Sequence, residues 1–273
     1  MQPDLSIILP IFNEEAVLPQ TLATIVQQMG SIGLSFELIC VDDGSSDNSV
    51  ALLQKEAGRT PQLQIIELSR NFGKEAALAA GLDHVRGRAA ILLDSDLQHP
   101  PSLIPTMIQA WQNGADVVSG VKKDRGQEGM AYRLLARAFN KMMAGASGQA
   151  FHGASDFKVL DRQVVEALKA CPERHRFFRG LVAWVGFRTV DIPFDVQERA
   201  AGETKWSTTA LIRYSLRNLV SFSALPLRAI AFAGAALLLF SGAMGLWTIF
   251  RYLRGDSLAG FPTVILQQLI FGG

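Results

Sequence analysis

Ile91-Leu92-Leu93-Asp94-Ser95-Asp96-Leu97-Gln98-His99-Pro100-Pro101 joins an apolar run to two carboxylates spaced i, i+2, an amide and two prolines. A short apolar run closed by turn residues reads as a buried strand. Alternate residues of an extended chain point the same way, so Asp94 and Asp96 can converge beyond the strand's end. Like charges a few ångströms apart repel, and ionising both is costly without a cation. Oxygen ligands at the mouth of a strand suit Mg²⁺ or Mn²⁺ that also holds phosphates. The same residues also read as a solvated turn, where aspartates are common.

Strand and helix alternate on either side of this stretch. Apolar strands are expected at 5–11, 36–41, 63–68, 89–93 and 116–120. Between them, helices are expected at 14–29, with Leu18, Leu22, Ile25 and Met29 on one face, from a cap at Asp47 to Lys55, at 74–85 and at 103–113. A late strand is expected at 190–198. Such alternation implies an α/β fold, a mostly parallel sheet covered by helices on both faces. Ligands of these sheets bind at the carboxyl ends of the strands. Three of those ends are polar clusters, at 10–15, 42–46 and 94–98, which is hard to explain as three unrelated turns.

Composition sets the outer bounds. The chain has 273 residues, 49% of them hydrophobic, enough for one large core or a core plus a small module. A net charge of +1 gives no field that points to nucleic acid. Cys40 and Cys171 lie far apart and form no disulfide framework or zinc spacing. The first residues enter a strand at once, so no signal peptide is expected.

Hydrophobicity concentrates towards the end of the sequence. No charged residue occurs from Ala229 to Phe250. At about 1.5 Å per residue this run is roughly 33 Å long, enough to cross a hydrocarbon core. Gly234, Gly242, Gly245 and Trp247 fit a membrane helix, and a buried core helix is the alternative. A second apolar run begins near Phe261 and is too short to span; it is expected to be either re-entrant or cut short, with truncation the favoured reading. Between sheet and membrane run come a polar loop at 122–129 and a basic amphipathic segment at 132–143, in which Arg133, Arg137 and Lys141 share a helical face. An amphipathic stretch at 204–223, just before the apolar run, is expected to lie in the membrane interface.

Several motifs together resemble family 2 glycosyltransferases of the GT-A fold. These are Ile8-Leu9-Pro10-Ile11-Phe12-Asn13-Glu14-Glu15, Val41-Asp42-Asp43-Gly44-Ser45-Ser46-Asp47 and the opening Asp-rich stretch. Within that family the chain is similar to polyprenyl-phosphate glycosyltransferases, the group containing dolichol-phosphate mannose synthases and bactoprenol glucosyltransferases. Supporting segments are Leu68-Ser69-Arg70-Asn71-Phe72-Gly73-Lys74-Glu75, Ser155-Asp156-Phe157-Lys158-Val159-Leu160-Asp161-Arg162 and Glu198-Arg199-Ala200-Ala201-Gly202-Glu203-Thr204-Lys205-Trp206.

The resemblance implies a Rossmann-like GT-A catalytic domain at 1–203 and an interfacial region at 204–226. A membrane region at 227–273 would follow, with one full helix at 227–250 and a second, cut short, from near 261. It implies that Pro10, Phe12, Glu14, Val41 and Asp43 contact the base and ribose of a nucleotide sugar. Asp94, Ser95, Asp96, Gln98 and Lys122 would complete the donor site. Asp96 and Gln98 are expected as direct ligands of Mg²⁺ or Mn²⁺, with Asp94 in the metal set but closer to the sugar. Phe12 stands where many relatives have tyrosine, and Lys122 where some have arginine.

Asp94, Asp96 and Asp156 are the expected catalytic residues. Asp156 would stabilise the sugar cation or orient the acceptor, and capping a helix ahead of Phe157 is its other reading. A lipid phosphate acceptor is ionised at neutral pH and needs no strong base. It needs cations, and Arg125, Arg133, Arg137, Arg199 and Lys205 are the candidates. The implied activity is inverting transfer of a hexose, glucose from UDP-glucose by branch resemblance, to polyprenyl phosphate. It would take place on the cytoplasmic face of the inner membrane. GDP-mannose or a UDP-aminoarabinose derivative are other donors to consider, and a homo-oligomer is left open. A processive polysaccharide synthase is disfavoured, because no Gln-x-x-Arg-Trp follows Asp156. A non-catalytic nucleotide-sugar scaffold would predict loss of the metal ligands, which are intact. A Rossmann dehydrogenase is excluded by the missing G-x-G-x-x-G after the first strand.

Overall fold

The computed structural model describes residues 2–96, 99–122, 154–171, 177–195 and 225–255. The chain divides into two compact units, Met1–Ile212 and Arg213–Gly273. In the first, seven strands form one sheet: β1 (Leu5–Ile11), β2 (Phe36–Asp42), β3 (Leu63–Glu67), β4 (Ala89–Leu92), β5 (Val117–Lys122), β6 (Ala154–Asp161) and β7 (Thr189–Phe194). Their order is β3-β2-β1-β4-β6-β5-β7. Neighbouring strands run parallel except that β6 is antiparallel to both β4 and β5. The sheet is therefore mixed, though mostly parallel, as expected.

The helices of this unit are α1 (Leu18–Ile32), α2 (Ser49–Ala57), α3 (Lys74–Asp83), α4 (Ile104–Gln112), α5 (Arg162–Lys169) and α6 (Phe178–Trp184). β1 is buried along its whole length, as befits a central strand covered on both faces. On one face, Leu5, Ile7, Leu9, Leu38, Ile91 and Phe157 pack with the apolar stripes of α1 and α4. Those stripes are Leu18, Leu22, Ile25, Met29 and Ile104, Met107, Ile108, Trp111, at helical spacing. α3 packs against β1 and β2 through Ala77, Leu78, Gly81 and Leu82.

Two expectations need correction. The first helix starts at Leu18 rather than at residue 14, because Pro19 occupies its first turn and Glu14 and Glu15 are held outside it. Their backbone N–H groups donate to Ser49 Oγ at 2.9 Å and Asp47 Oδ2 at 3.1 Å. β6 was not expected as a strand. Asp156 lies within it, so it does not cap a helix; the capping aspartate is Asp161, which accepts from Gln163 N and opens α5.

The second unit is described through α7 (Leu225–Leu253). Within it, Ile230–Thr248 spans 19 residues of mean hydropathy 1.8, long and apolar enough to cross a membrane. Leu237, Leu238, Leu239 and Phe240 are exposed, unlike the side chains of a core helix.

Candidate active site

The mouths of β1, β2 and β3 are tied together by their own polar residues. Asn13 sits at a positive φ of 54°. Its side-chain oxygen accepts from Ser46 N at 2.7 Å, and its backbone N–H donates to Ser45 Oγ at 2.9 Å. Asp42 closes the turn after β2 by accepting from Gly44 N and Ser45 N, both at 3.0 Å. Asp43 accepts from Phe72 N at 2.7 Å and Gly73 N at 2.8 Å, drawing the loop after β3 onto the end of β2. Gly44 permits this approach: its φ is +71°, and a Cβ there would lie 2.5 Å from the carbonyl carbon of Arg70.

Pro10 and Val41 pair in register on the adjoining strands and are buried. Phe12 and Glu14 follow them, half-buried. Burial raises the Asp43 carboxyl above its ordinary value, against the two backbone donors that stabilise its charge. Each Asp43 oxygen engages the Phe72–Gly73 backbone and retains further acceptor capacity.

The Asp-rich stretch leaves β4 beside this edge. Thr21 Oγ1 on α1 lies 2.7 Å from the Ser95 carbonyl oxygen and fixes the turn between the two aspartates. His99 is buried, its ring 5.5 Å from the rings of both Phe157 and Phe194. Ligand atoms of Asp94, Asp96 and His99 all lie within 4.8 Å of one another. Two carboxylates and one imidazole fit a divalent cation, and the imidazole is more at home on Mn²⁺ than on Mg²⁺.

Behind the aspartates runs an ion-pair network. Lys74, at the first turn of α3, places Nζ 2.6 Å from Asp94 Oδ1 and 2.6 Å from Asp156 Oδ2. Arg179 on α6 grips Asp156 with two prongs, Nε to Oδ1 at 2.6 Å and Nη2 to Oδ2 at 2.9 Å. Burial opposes the charge on each partner. Even so, Lys74 and Arg179 hold the Asp156 carboxyl well below the usual carboxylate range. Asp94 and Asp156 in turn hold the Lys74 ammonium above the usual lysine value. Two residues along β6, Lys158 is buried and donates to Ser119 Oγ at 2.6 Å. Burial lowers its ammonium to about 8, with Asp156 and Asp191 opposing the fall and Arg179 adding to it.

Comparison with known proteins resolves what this constellation belongs to. The profile described as Glycosyl transferase family 2 matches residues 6–169. The chain belongs to glycosyl transferase family 2. An uncharacterized glycosyltransferase of Synechocystis is 36% identical over 275 residues, covering 100% of this chain and 86% of that protein. The bactoprenol glucosyl transferase of Shigella phage SfV is 35% identical over 271 residues, covering 98% of this chain and 88% of that protein. Among solved structures, glucosyl-3-phosphoglycerate synthase from Mycobacterium tuberculosis in complex with Mn²⁺, uridine diphosphate and phosphoglyceric acid matches with a TM-score of 0.61. It is 20% identical, and the match covers 80% of this chain and 78% of that one. That likeness establishes a GT-A-like α/β fold.

In this glycosyltransferase the structure brings together Pro10, Phe12, Glu14, Val41 and Asp43 at one edge, and Asp94, Ser95, Asp96 and Asp156 beside it. Lys122 ends β5, and its side chain lies outside the described residues, as do Gln98, Arg125, Arg133, Arg137, Arg199 and Lys205. So do the basic segment at 132–143, the amphipathic stretch at 204–223 and the second apolar run. Sequence reasoning gave no role to Lys74, Arg179 or Lys158, and took His99 only as part of the Asp-rich stretch. For His99 a signal existed, because Asp-x-Asp-x-x-His keeps a third ligand type within one turn of the carboxylates. For Lys74 and Arg179 the pairing is long-range and leaves no local pattern.

Proposed function

We propose that this enzyme transfers a hexose, glucose from UDP-glucose, to polyprenyl phosphate with inversion at the anomeric carbon. The observation that carries this reading is the state of Asp156. It is bound through both oxygens to two cations and held ionised, so at neutral pH it is a poor proton acceptor. Such a site suits an acceptor that arrives already deprotonated, as a phosphate does and a sugar hydroxyl does not. The relative named bactoprenol glucosyl transferase, matched over 98% of this chain and 88% of that one, supports a bactoprenol-type lipid acceptor and the glucose. The neighbour crystallised with Mn²⁺ and uridine diphosphate supports the donor class.

In the proposed reaction an acceptor phosphate oxygen attacks the anomeric carbon, and the bond to the diphosphate breaks on the opposite face. Nucleoside diphosphate leaves, and no proton changes hands. A divalent cation held by Asp94, Asp96 and His99, with Gln98 as a further ligand, would neutralise the departing diphosphate. Pro10, Val41, Phe12, Glu14 and Asp43 would seat the nucleoside. Arg125, Arg133, Arg137, Arg199 and Lys205 would receive the acceptor phosphate, and Lys122 would belong to the donor site.

The apolar stretch Ile230–Thr248 supports an integral membrane protein, with the catalytic unit on the cytoplasmic side, where nucleotide sugars are made. The test is incubation of the purified enzyme with polyprenyl phosphate and a panel of labelled nucleotide sugars. Lipid-linked hexose from UDP-glucose is expected. Product from GDP-mannose alone would change the sugar, and no lipid product from any donor would overturn the reading. Labelling of a cysteine introduced at Gln2 by an impermeant reagent in intact cells would reverse the orientation.

A further inference from the structure

We propose that Arg179 is a positioning residue of the transfer: by gripping both oxygens of Asp156, it fixes the direction in which that carboxylate faces the donor sugar. The inference rests on the hexosyl-transfer reading above and deepens it.

The geometry is specific. Asp156 lies on β6 two residues before Lys158, the partner of Leu92 at the end of β4, and it shares the Lys74 ammonium with Asp94 of the Asp-rich turn. The Asp156 side chain is 9% exposed and that of Arg179 is 40% exposed, so the guanidinium covers the carboxylate from outside. α6 is itself anchored. Glu75 Oε2, one residue after Lys74, accepts from Phe178 N at 2.8 Å, one residue before Arg179. The two cations that meet at Asp156 are thus carried by two helices fastened to each other at their first turns.

Lys74 alone could not set the orientation. It is a single point charge, it touches one oxygen of Asp156, and it is shared with Asp94. The planar fork of arginine fixes a carboxylate in plane and in angle, which lysine cannot do. A carboxylate so held presents a fixed negative charge as the anomeric carbon becomes cationic, with nothing to reorganise at that moment. The charged groups that act on it are Lys74 from α3 and Arg179 from α6; Lys74 is shared with Asp94, and Asp156 in turn acts on Lys158 of its own strand, which Asp191 on β7 also faces. Without Arg179, Asp156 loses one of its two direct cations among the described residues while its burial remains. Its protonation then moves up towards the working pH.

The test compares Arg179→Met and Arg179→Lys with the wild-type enzyme in full-length, detergent-solubilised form. In Arg179→Met, kcat should fall at least about tenfold, the scale of a misplaced reacting group. The KM for nucleotide sugar should stay within about threefold, and the acid limb of kcat against pH should move to higher pH. Arg179→Lys keeps the charge and is expected to fold. It should bring the acid limb back towards wild type yet leave kcat reduced, because the fork is gone. Wild-type kcat in Arg179→Lys, or a rise in donor KM at unchanged kcat in Arg179→Met, would overturn the proposal. If Arg179→Met does not fold, the Arg179→Lys result decides. Failure of the wild-type enzyme to make any lipid-linked hexose would instead remove the underlying reading. Wild-type transfer with indifferent Arg179 variants would remove this inference alone.

Discussion

One ammonium, that of Lys74, lies 2.6 Å from an oxygen of Asp94, just beyond β4, and 2.6 Å from an oxygen of Asp156 on β6. Like charges brought this close to one point repel unless a cation lies between them. Lys74 converts that repulsion into a bridge between the Asp-rich turn and the antiparallel strand.

Replacing Lys74 with Met should therefore harm both folding and chemistry. Asp94 and Asp156 would lose their shared cation, leaving Arg179 as the remaining direct cation on Asp156 among the described residues. Turnover should fall by about 10²-fold, the scale of losing a preorganised electrostatic group. The thermal midpoint should drop as well. Differential scanning fluorimetry beside lipid-product assays checks both, and a variant with wild-type turnover would contradict the bridge's role.

Asp96→Asn keeps the size of the side chain but removes one charge from the Asp94–Asp96–His99 cluster. Turnover should fall at least about 10²-fold. Chelation with EDTA should abolish wild-type activity, and Mn²⁺ should restore it. The binding of Mn²⁺ alone, followed by electron paramagnetic resonance, should weaken in Asp96→Asn and in His99→Ala.

Lys158 predicts a pH dependence of stability. Its ammonium titrates at about 8 in the folded protein, against 10.5 for an ordinary lysine. Between those values the unfolded chain binds more protons than the folded one, so stability from this group rises with pH and levels off above about 10.5. Below pH 8 its contribution is flat and unfavourable. The full rise is on the order of 3 kcal/mol, from 1.36 kcal/mol per pKa unit. Urea unfolding at pH 7.5 and pH 10 should show this rise for the wild-type enzyme relative to Lys158→Met. Equal pH slopes in the two proteins would remove it.

Gly44→Ala should be costly for its size. The backbone is in the left-handed region and the new methyl would collide with the Arg70 backbone. Strain of this kind costs roughly 1–3 kcal/mol. It should also push the Phe72–Gly73 loop off Asp43 and weaken nucleotide binding. Calorimetry with uridine diphosphate would show the loss, and unchanged affinity would mean that the loop does not shape the nucleoside site.

The parts of this enzyme that were legible in its sequence are those whose signal is local. The apolar runs of β1, β2 and β4 each end in a polar cluster, and the structure places those clusters side by side. β6 escaped notice because Asp156 and Lys158 are polar residues on a buried face. Their alternation did not look like an inward-facing strand, and their burial is tolerated only because Arg179, Lys74 and Ser119 satisfy them. The start of α1 was placed too early because Glu14 and Glu15 are good helix residues, and their backbone N–H groups are bound instead by Ser49 and Asp47, more than thirty residues away. Lys74 and Arg179 read in sequence as ordinary surface cations. Their meaning comes from a partner 82 residues distant in one case and 23 in the other.

The reversed direction of β6 also sets where the connection between β5 and β6 is anchored. Because β5 and β6 run antiparallel, with Val121 paired to Ala154, the chain between them leaves and re-enters the sheet at the same end, the end that carries the aspartates. Residues 123–153, which join the two strands, therefore begin and end at the edge where Lys74 bridges Asp94 and Asp156. Strand order, the Asp94–Asp96 turn and the Lys74 bridge are all set by elements outside that connection.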